Sequence, residues 1–468
     1  MVGAIDSAGG ISPAARLLGN FILGGMALAG SILVAYGWST YKGEETWALV
    51  IFSVGVSLLT IVAVGLVGGQ SARVNVALTA VSLGASIYLA NAWLFFTDEP
   101  PQGRLSAAAA ADPSFDLRTI PDVVEDLRRT GAEAYPRAPI HYLIGLPGVE
   151  PYLERLLPLG GLSRVTTVLC NESGTYVTFG ADRYGFNNDD TAYDSKDGIK
   201  ALVVGDSFAQ GMCVPQGEET AGLLRSRGIN AVTVGNLANG PLLELATLIE
   251  YGRAWQPPVV FWLYYANDLD DLAQERKSAR LRAYLKGTRQ NLIERQAEVD
   301  SLLKSIFDAE IFKRGEDAEE ETVRQGVEAM RSPAVRLREF ITLYHLRKLI
   351  NLDRQILLPQ TDETMSLFEK IVRAADDEVR GWGGRLYFVY LADWQSFAQR
   401  PIGSRNAVLQ SVEDAGIPIL DFETIMRESD DPLAYFPYRA PNHYTSEGYN
   451  LLVDKLMEFV YGPESERS

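Results

Sequence analysis

The stretch that decides the fold is ALVVGDSFAQG, residues 201–211. Apolar residues run into Gly-Asp-Ser-Phe, which is the pattern of a short buried strand that ends in a turn. Such a turn would deliver Ser207 to the rim of a sheet. Ser207 is then either a nucleophile or only the first residue of a helix, and the rest of the chain has to separate these two interpretations.

Short apolar runs alternate with helix-forming segments around this stretch. The runs are IKALVVG, NAVTVGN, PPVVFWLYY, GGRLYFVYL and IPILDF. Continuous apolar strands separated by helices predict a parallel sheet that is covered on both faces. The sequence therefore predicts an α/β fold, in which ligands bind beyond the carboxyl ends of the strands.

A long segment, about residues 270–380, separates the third of these runs from the fourth. It is rich in charged residues and helix formers, and its apolar residues between 281 and 306 recur at near-helical spacing. Helices with such a stripe pack on another surface. A cap over the sheet edge is the natural role, and a dimerising helical hairpin is the alternative.

The first hundred residues differ in kind from the rest. Residues 17–38, 47–69 and 75–96 form three segments without a charged side chain. Runs of about 20 apolar residues match a hydrocarbon core of about 30 Å. The sequence predicts three transmembrane helices within a membrane domain, residues 1–96.

The orientation of these helices rests on few charges. Arg16 precedes the first segment and Arg73 lies between the second and third, whereas the first loop sets Lys42 against two glutamates. Positively charged loops stay in the cytoplasm. We therefore expect residues after 97 to be extracytoplasmic.

Two regions connect the membrane domain to the predicted sheet. Residues 97–116 have the composition of a linker, with paired prolines and an alanine tract. Residues 117–198 form a lead-in with short strands at VTTVLC (165–170) and TYVTFG (175–180), separated by the turn-forming NESG.

Composition excludes several functions. Sixty acidic against 43 basic residues give a formal charge of −17, which repels nucleic acid, and no basic cluster offsets it. Three scattered histidines and two cysteines do not form a metal-ligand pattern. No phosphate-binding or dinucleotide-binding glycine motif is present, so we expect neither a metal nor a cofactor.

The two cysteines, Cys170 and Cys213, both lie in the part assigned outside the cytoplasm. In an oxidising compartment they could pair, which would tie the loop after Ser207 to the segment before the sheet. Two unpaired thiols are the alternative.

Four candidate residues follow strands or precede the last helix. GDSF contains Ser207, NLANG ends in Gly240, YYANDLDD contains Asn267, and YRAPNHYTSEGY contains His443. Each has an ordinary structural role, such as a turn or a helix cap. Together they supply what acyl transfer needs, namely a nucleophile, a base and donors for an oxyanion.

These motifs resemble the four blocks of the SGNH (GDSL-like) hydrolase superfamily, and DRYGFNN (182–188) is similar to a segment of membrane-anchored bacterial members. The resemblance covers about residues 199–460 within a predicted SGNH-like domain, 199–468. It implies a flavodoxin-like α/β/α sandwich. It also implies that Ser207 is the nucleophile, that His443 is the base, and that Ser207, Gly240 and Asn267 form the oxyanion hole.

The chain departs from the family where the triad acid is expected. The family usually carries an aspartate two or three residues before the histidine, and Ala440 and Pro441 occupy those positions here. Three alternatives remain open: a Ser-His dyad, a site without activity, or an acid supplied from elsewhere. The candidate acids are Asp430, Asp431 and Glu447.

The resemblance implies an esterase, deacetylase or O-acyltransferase that acts on an acyl ester of an envelope glycan or lipid. The expected location is the bacterial inner membrane, with several spans and a periplasmic C-terminal domain. The expected partners are the lipid bilayer and a membrane protein. A non-catalytic binding or scaffold subunit of an envelope complex is the alternative.

Overall fold

The structure is a computed structural model that describes residues 12–40, 46–97, 114–144, 149–308, 340–343, 346, 362–398 and 404–462. The chain divides into two compact units: residues 1–99 with 333–359, and residues 100–332 with 360–468. Most of the predicted linker, the loop that carries Lys42 and the middle of the predicted insertion lie outside the described residues.

The first unit is built on three helices, which are α1 (Pro13–Thr40), α2 (Thr46–Val67) and α3 (Gly69–Thr97). Two of them are long and apolar enough to cross a membrane, over Pro13–Ser39 and Gly69–Leu94. The apolar part described for α2, Ile51–Val67, is shorter. Of the three predicted transmembrane helices, the described residues thus provide two candidates.

Within the described residues, the second unit contains eight strands in two sheets. The smaller sheet has the order β1-β2-β3, with β1 and β2 parallel and β2 and β3 antiparallel. Its strands are β1 (Ala134–Pro136), β2 (Thr166–Cys170) and β3 (Val177–Gly180). This sheet belongs to the predicted lead-in, which lies in the same compact unit as the larger sheet.

The larger sheet has five strands in the order β5-β4-β6-β7-β8, and every neighbouring pair is parallel. Its strands are β4 (Ala201–Gly205), β5 (Ala231–Thr233), β6 (Val259–Tyr264), β7 (Arg385–Tyr390) and β8 (Ile419–Asp421). Each strand lies in one of the five predicted apolar runs. The order is that of the flavodoxin-like doubly wound fold, so the predicted α/β class is confirmed for this sheet.

Helices occupy the segments between and around these strands. They are α4 (Ile120–Arg129), α5 (Ile140–Leu143), α6 (Glu150–Arg155), α7 (Ser207–Gln210), α8 (Thr220–Ser226), α9 (Pro241–Thr247), α10 (Arg253–Trp255), α11 (Asp268–Glu275), α12 (Ala279–Tyr284), α13 (Gln296–Asp308), α14 (Asp362–Gly381), α15 (Trp394–Ala398), α16 (Arg405–Asp414), α17 (Phe422–Arg427) and α18 (Ser446–Tyr461). A π-helical turn, Leu248–Gly252, joins α9 to α10.

The two faces of the larger sheet bury separate apolar cores. Along β4, Leu202 and Val204 belong to one core, whereas Ala201 and Val203 belong to the other. Side chains alternate between the faces of a strand, so a strand that is apolar at every position is buried on both sides. Both faces of the sheet are therefore covered. Polar side chains that could bind a ligand are then expected at the ends of the strands.

The described first half of the insertion packs on the lead-in. The Gln290 side chain accepts a hydrogen bond from Leu157 N at 2.8 Å and donates one to Leu157 O at 3.0 Å. Asp300 accepts from both the backbone and the hydroxyl of Ser163, at 2.9 and 2.6 Å. The apolar stripe of these helices is buried within this chain at Leu281, Leu292, Val299 and Ile306.

Candidate active site

Ser207 stands at a sharp turn from β4 into α7. Gly205, the last residue of β4, has a φ of +153°, and a Cβ atom there would lie 2.6 Å from the carbonyl oxygen of Leu263. The next residue, Asp206, caps α7 by accepting a hydrogen bond from Phe208 N at 2.9 Å. Glycine and aspartate thus allow the chain to place Ser207 at the carboxyl end of β4, an inner strand of the larger sheet.

His443 lies directly against this serine. Its Nε2 is 2.8 Å from the Oγ of Ser207, and its ring packs on Phe208 with the ring centroids 4.8 Å apart. The histidine precedes α18, whose first turn is capped by the side chain of Thr445. A hydroxyl within hydrogen-bond reach of an imidazole is the arrangement in which the imidazole can remove its proton.

Glu172 holds the opposite side of the histidine. Its Oε1 is 2.7 Å from His443 Nδ1, and its Oε2 accepts a hydrogen bond from the His443 backbone N–H at 2.9 Å. A carboxylate at Nδ1 keeps the proton on that nitrogen and leaves Nε2 free to accept one. Ser207, His443 and Glu172 therefore have the geometry of a Ser-His-acid triad.

This geometry corrects the predicted acid. Asp431 forms an ion pair with Arg439 at 2.5 Å, while Asp430 and Glu447 are exposed. The carboxylate at His443 comes instead from the turn between β2 and β3, 271 residues earlier in the chain. The alternative of a Ser-His dyad is also not observed, because Glu172 contacts Nδ1 of His443.

The turn that carries Glu172 is held by its neighbours. Asn171 accepts a hydrogen bond from Gly174 N at 2.8 Å and donates one to Asp116 O at 2.7 Å. Tyr438, in the segment before His443, donates its hydroxyl proton to Ser173 O at 3.0 Å. The lead-in, which the sequence did not connect with any chemistry, thus supplies the acid of the site.

A disulfide joins Cys170 to Cys213, with their Cα atoms 5.5 Å apart. Of the two alternatives that the sequence left open, the structure therefore has the paired one. Within the described residues, Glu172, Cys213 and His443 place potential metal-ligating atoms within 4.8 Å of one another. Because a thiolate is the ligand form of cysteine and this sulfur is bonded, the set is better described as the acid and base beside a disulfide.

Two of the three predicted oxyanion donors, Gly240 and Asn267, are engaged by carboxylates. The single N–H of Gly240 donates to Glu275 Oε1 at 2.7 Å, which contradicts the prediction that this group faces an oxyanion. The side-chain nitrogen of Asn267 donates to Asp271 Oδ2 at 2.8 Å. That nitrogen carries two hydrogens, so one hydrogen of Asn267 is not used in this bond.

Asp271 and Glu275 share a neighbour, His141 of α5. Its Nε2 is 3.6 Å from Asp271 Oδ1, and its Nδ1 is 3.7 Å from Glu275 Oε1. Burial raises the pKa of Asp271 to about 7, although the nearby His141 lowers it. Burial alone would lower the pKa of His141, but the two carboxylates raise it. The predicted donors therefore border a titratable cluster that the sequence did not indicate.

Comparisons with known proteins add little to this geometry. No family model matches the chain, and no curated protein matches it. Among solved structures, the chain is similar to an acetyl xylan esterase, AlAXEase, at 14% identity with a TM-score of 0.29, over 56% of this chain and 100% of that chain.

Proposed function

We propose that this protein is a serine-dependent enzyme that hydrolyses or transfers an acyl ester. One observation carries the proposal: an unbroken line of hydrogen-bond contacts from Ser207 Oγ to His443 Nε2 at 2.8 Å, and from His443 Nδ1 to Glu172 at 2.7 Å. Ser207 is the nucleophile, His443 is the general base and Glu172 is the acid of the triad.

Each step of the reaction moves one proton through His443. As Ser207 Oγ attacks the acyl carbon, Nε2 takes the hydroxyl proton, and it then gives that proton to the departing alcohol. Water, or the hydroxyl group of an acceptor, next attacks the acyl-serine and loses its proton to Nε2. The acyl group leaves as an acid or a new ester, and Ser207 regains the proton. The Glu172 carboxylate stabilises the imidazolium.

Stabilisation of the oxyanion is the incomplete part of this mechanism. Donors aimed at the developing charge contribute about 3 kcal/mol each in acyl transfer. The Ser207 amide and the second hydrogen of Asn267 are proposed as donors.

The sequence motifs and the first unit support a proposal for the substrate and the location. Resemblance to the SGNH superfamily supports an acetyl or short acyl ester on an envelope glycan or lipid. The apolar helices of the first unit support an anchor in the bacterial inner membrane, which we propose is crossed three times. A disulfide forms in oxidising compartments, so Cys170–Cys213 supports a periplasmic position for the second unit. We propose no metal and no cofactor.

One observation favours a second candidate, a non-catalytic binding or scaffold subunit of an envelope complex. The carboxylates of Glu275 and Asp271 hold the Gly240 and Asn267 donors. A site that binds a protein or glycan without acylation would not need those donors free. A stable complex and full biological activity that both survive Ser207→Ala and His443→Ala would support this alternative.

Labelling by a fluorophosphonate tests the main proposal, because such a probe reacts with an activated serine. In the full chain purified in detergent, we expect wild type to be labelled, Ser207→Ala to lose all labelling, and His443→Ala to lose nearly all of it. Ser305→Ala is the matched control, since its hydroxyl is exposed and donates a hydrogen bond to Leu302 O of the same helix. A folded wild-type protein that resists labelling would overturn the proposal and favour the scaffold role.

A further inference from the structure

The nucleophile and the acid of the candidate triad come from two different sheets. Ser207 follows β4 of the five-stranded sheet, whereas Glu172 follows β2 of the three-stranded sheet. One end of the Cys170–Cys213 disulfide lies close to Glu172 in the chain, and the other end lies close to Ser207. Cys170 ends β2, two residues before Glu172, and Cys213 follows Ser207 by six residues.

The disulfide also lies beside the groups that react. The sulfur of Cys213 is within 4.8 Å of ligating atoms of both Glu172 and His443. The two cysteines are buried, with 5% and 6% of their surfaces exposed, whereas Glu172 is half-buried and Ser173 is exposed. The covalent bond is thus buried beneath a surface turn.

The other contacts of that turn are few and lie near the surface. Two hydrogen bonds of the Asn171 side chain, one from Tyr438 and one from Asp116 N to Gly174 O at 2.8 Å hold this turn. Surface turns with few buried contacts open at low free-energy cost. A covalent bond two residues from the acid limits how far such opening can move the carboxylate.

We propose that Cys170 and Cys213 are positioning residues for the triad acid: their disulfide keeps the Glu172 carboxylate on His443. The inference rests on the function proposed above and adds a redox requirement to it. Reduction by a dithiol transfers two electrons and two protons, so the S–S bond breaks, two thiols form and the dithiol closes into its own disulfide. The turn is then free to move, and the imidazole loses the partner that fixes its tautomer.

A comparison of two backgrounds separates positioning from general stabilisation. We compare hydrolysis of p-nitrophenyl acetate by the full chain as wild type, as Cys170→Ser with Cys213→Ser, as Glu172→Gln, and as all three changes together. The double cysteine change should lower kcat about 10- to 100-fold with KM nearly unchanged, the cost of moving a catalytic group by about 1 Å. In the Glu172→Gln background the same change should cost nothing further.

Two results would overturn the inference: full kcat in the double cysteine variant, or the same fold-loss in both backgrounds. Thermal unfolding of each variant shows that the fold persists. Dithiol treatment of wild type should reproduce the double variant and leave that variant unaffected.

A second measurement does not depend on turnover. The hydrogen-bonded Nδ1 proton of His443 should give a downfield signal in the proton NMR spectrum of the oxidised protein. We expect Glu172→Gln to abolish this signal and the double cysteine change to weaken it. If the signal responds in this way in a protein without esterase activity, the proposed function fails and the positioning role stands. An unchanged signal in the double variant would refute the positioning role.

Discussion

Glu172 makes two contacts with the same residue, one with the ring of His443 and one with its backbone N–H. The carboxylate therefore fixes the place of the residue and the orientation of the imidazole together. In this arrangement the acid does more than balance charge, because a change at Glu172 would also loosen the segment before α18.

Glu172→Gln keeps the size of the side chain and removes its charge. We expect kcat for ester hydrolysis to fall by about 10²- to 10⁴-fold. The imidazolium loses its counter-charge, and no carboxylate then keeps the ring proton on Nδ1. KM should change little. Steady-state kinetics of the full chain measure both constants.

Glu447→Gln is the matched control, because Glu447 is an exposed glutamate on α18 near the same histidine. It should leave kcat within about twofold, as surface changes usually do. Equal losses in the two variants would contradict the assignment of the acid to Glu172.

The sequence indicated Ser207 and His443, because each stands in a short motif next to a predicted strand or helix. It could not indicate Glu172, since no spacing rule links a turn to a histidine 271 residues away. One signal was present: pairing of Cys170 with Cys213 would bring the NESG turn close to Ser207. The engagement of Gly240 by Glu275 carried no such signal, because it depends on how α11 approaches the start of α9.

At the scale of elements, the turn from β4 into α7 decides where the nucleophile stands. Gly205→Ala should damage it, because the added Cβ would meet Leu263 O at 2.6 Å and the residue has a φ of +153°. We expect a loss of about 1–3 kcal/mol in the free energy of unfolding, as overpacking typically costs. Fluorophosphonate labelling should fall as well.

Gly381→Ala provides the comparison. This glycine ends α14, and an added Cβ would meet nothing within 4 Å. The change should be neutral or slightly stabilising, because alanine favours a helix more than glycine does. Thermal unfolding of both variants measures the difference, and a Gly205→Ala protein as stable as Gly381→Ala would refute the account of the turn.

The elements themselves differ in how well the sequence predicts them. Each of the five strands of the larger sheet lies in a continuous apolar run, because a strand buried on both faces must be apolar at every position. The short strand β1, Ala134–Pro136, has no such run and was not predicted. Its pairing with β2 depends on tertiary contacts that periodicity does not contain.

At the scale of the whole molecule, the number of membrane spans decides whether the candidate site lies on the same side of a membrane as the N-terminus. Three crossings put the two ends of the chain on opposite sides, and two crossings put them on the same side. The described residues provide two candidate spans and a shorter apolar helix. Membrane topology therefore determines the compartment in which the candidate site lies.

Reporter fusions at the C-terminus measure that topology. We expect alkaline phosphatase, which requires an oxidising compartment, to be active there, because Arg16 and Arg73 favour a cytoplasmic N-terminus and the disulfide favours an extracytoplasmic second unit. Green fluorescent protein at the same position serves as the paired control and should be dark after export by the Sec route. Bright fluorescence with an inactive phosphatase would reverse the orientation.

Because Glu172 lies in the turn between β2 and β3, the candidate triad needs residues from outside the five-stranded sheet. A fragment that begins at residue 199 would keep the five-stranded sheet, the serine and the histidine, and its motifs would look complete. It would lack the acid and would leave Cys213 as an unpaired thiol against the imidazole. On the proposed function, transfer of such a fragment into another protein would carry over the motifs without the acid that the activity needs.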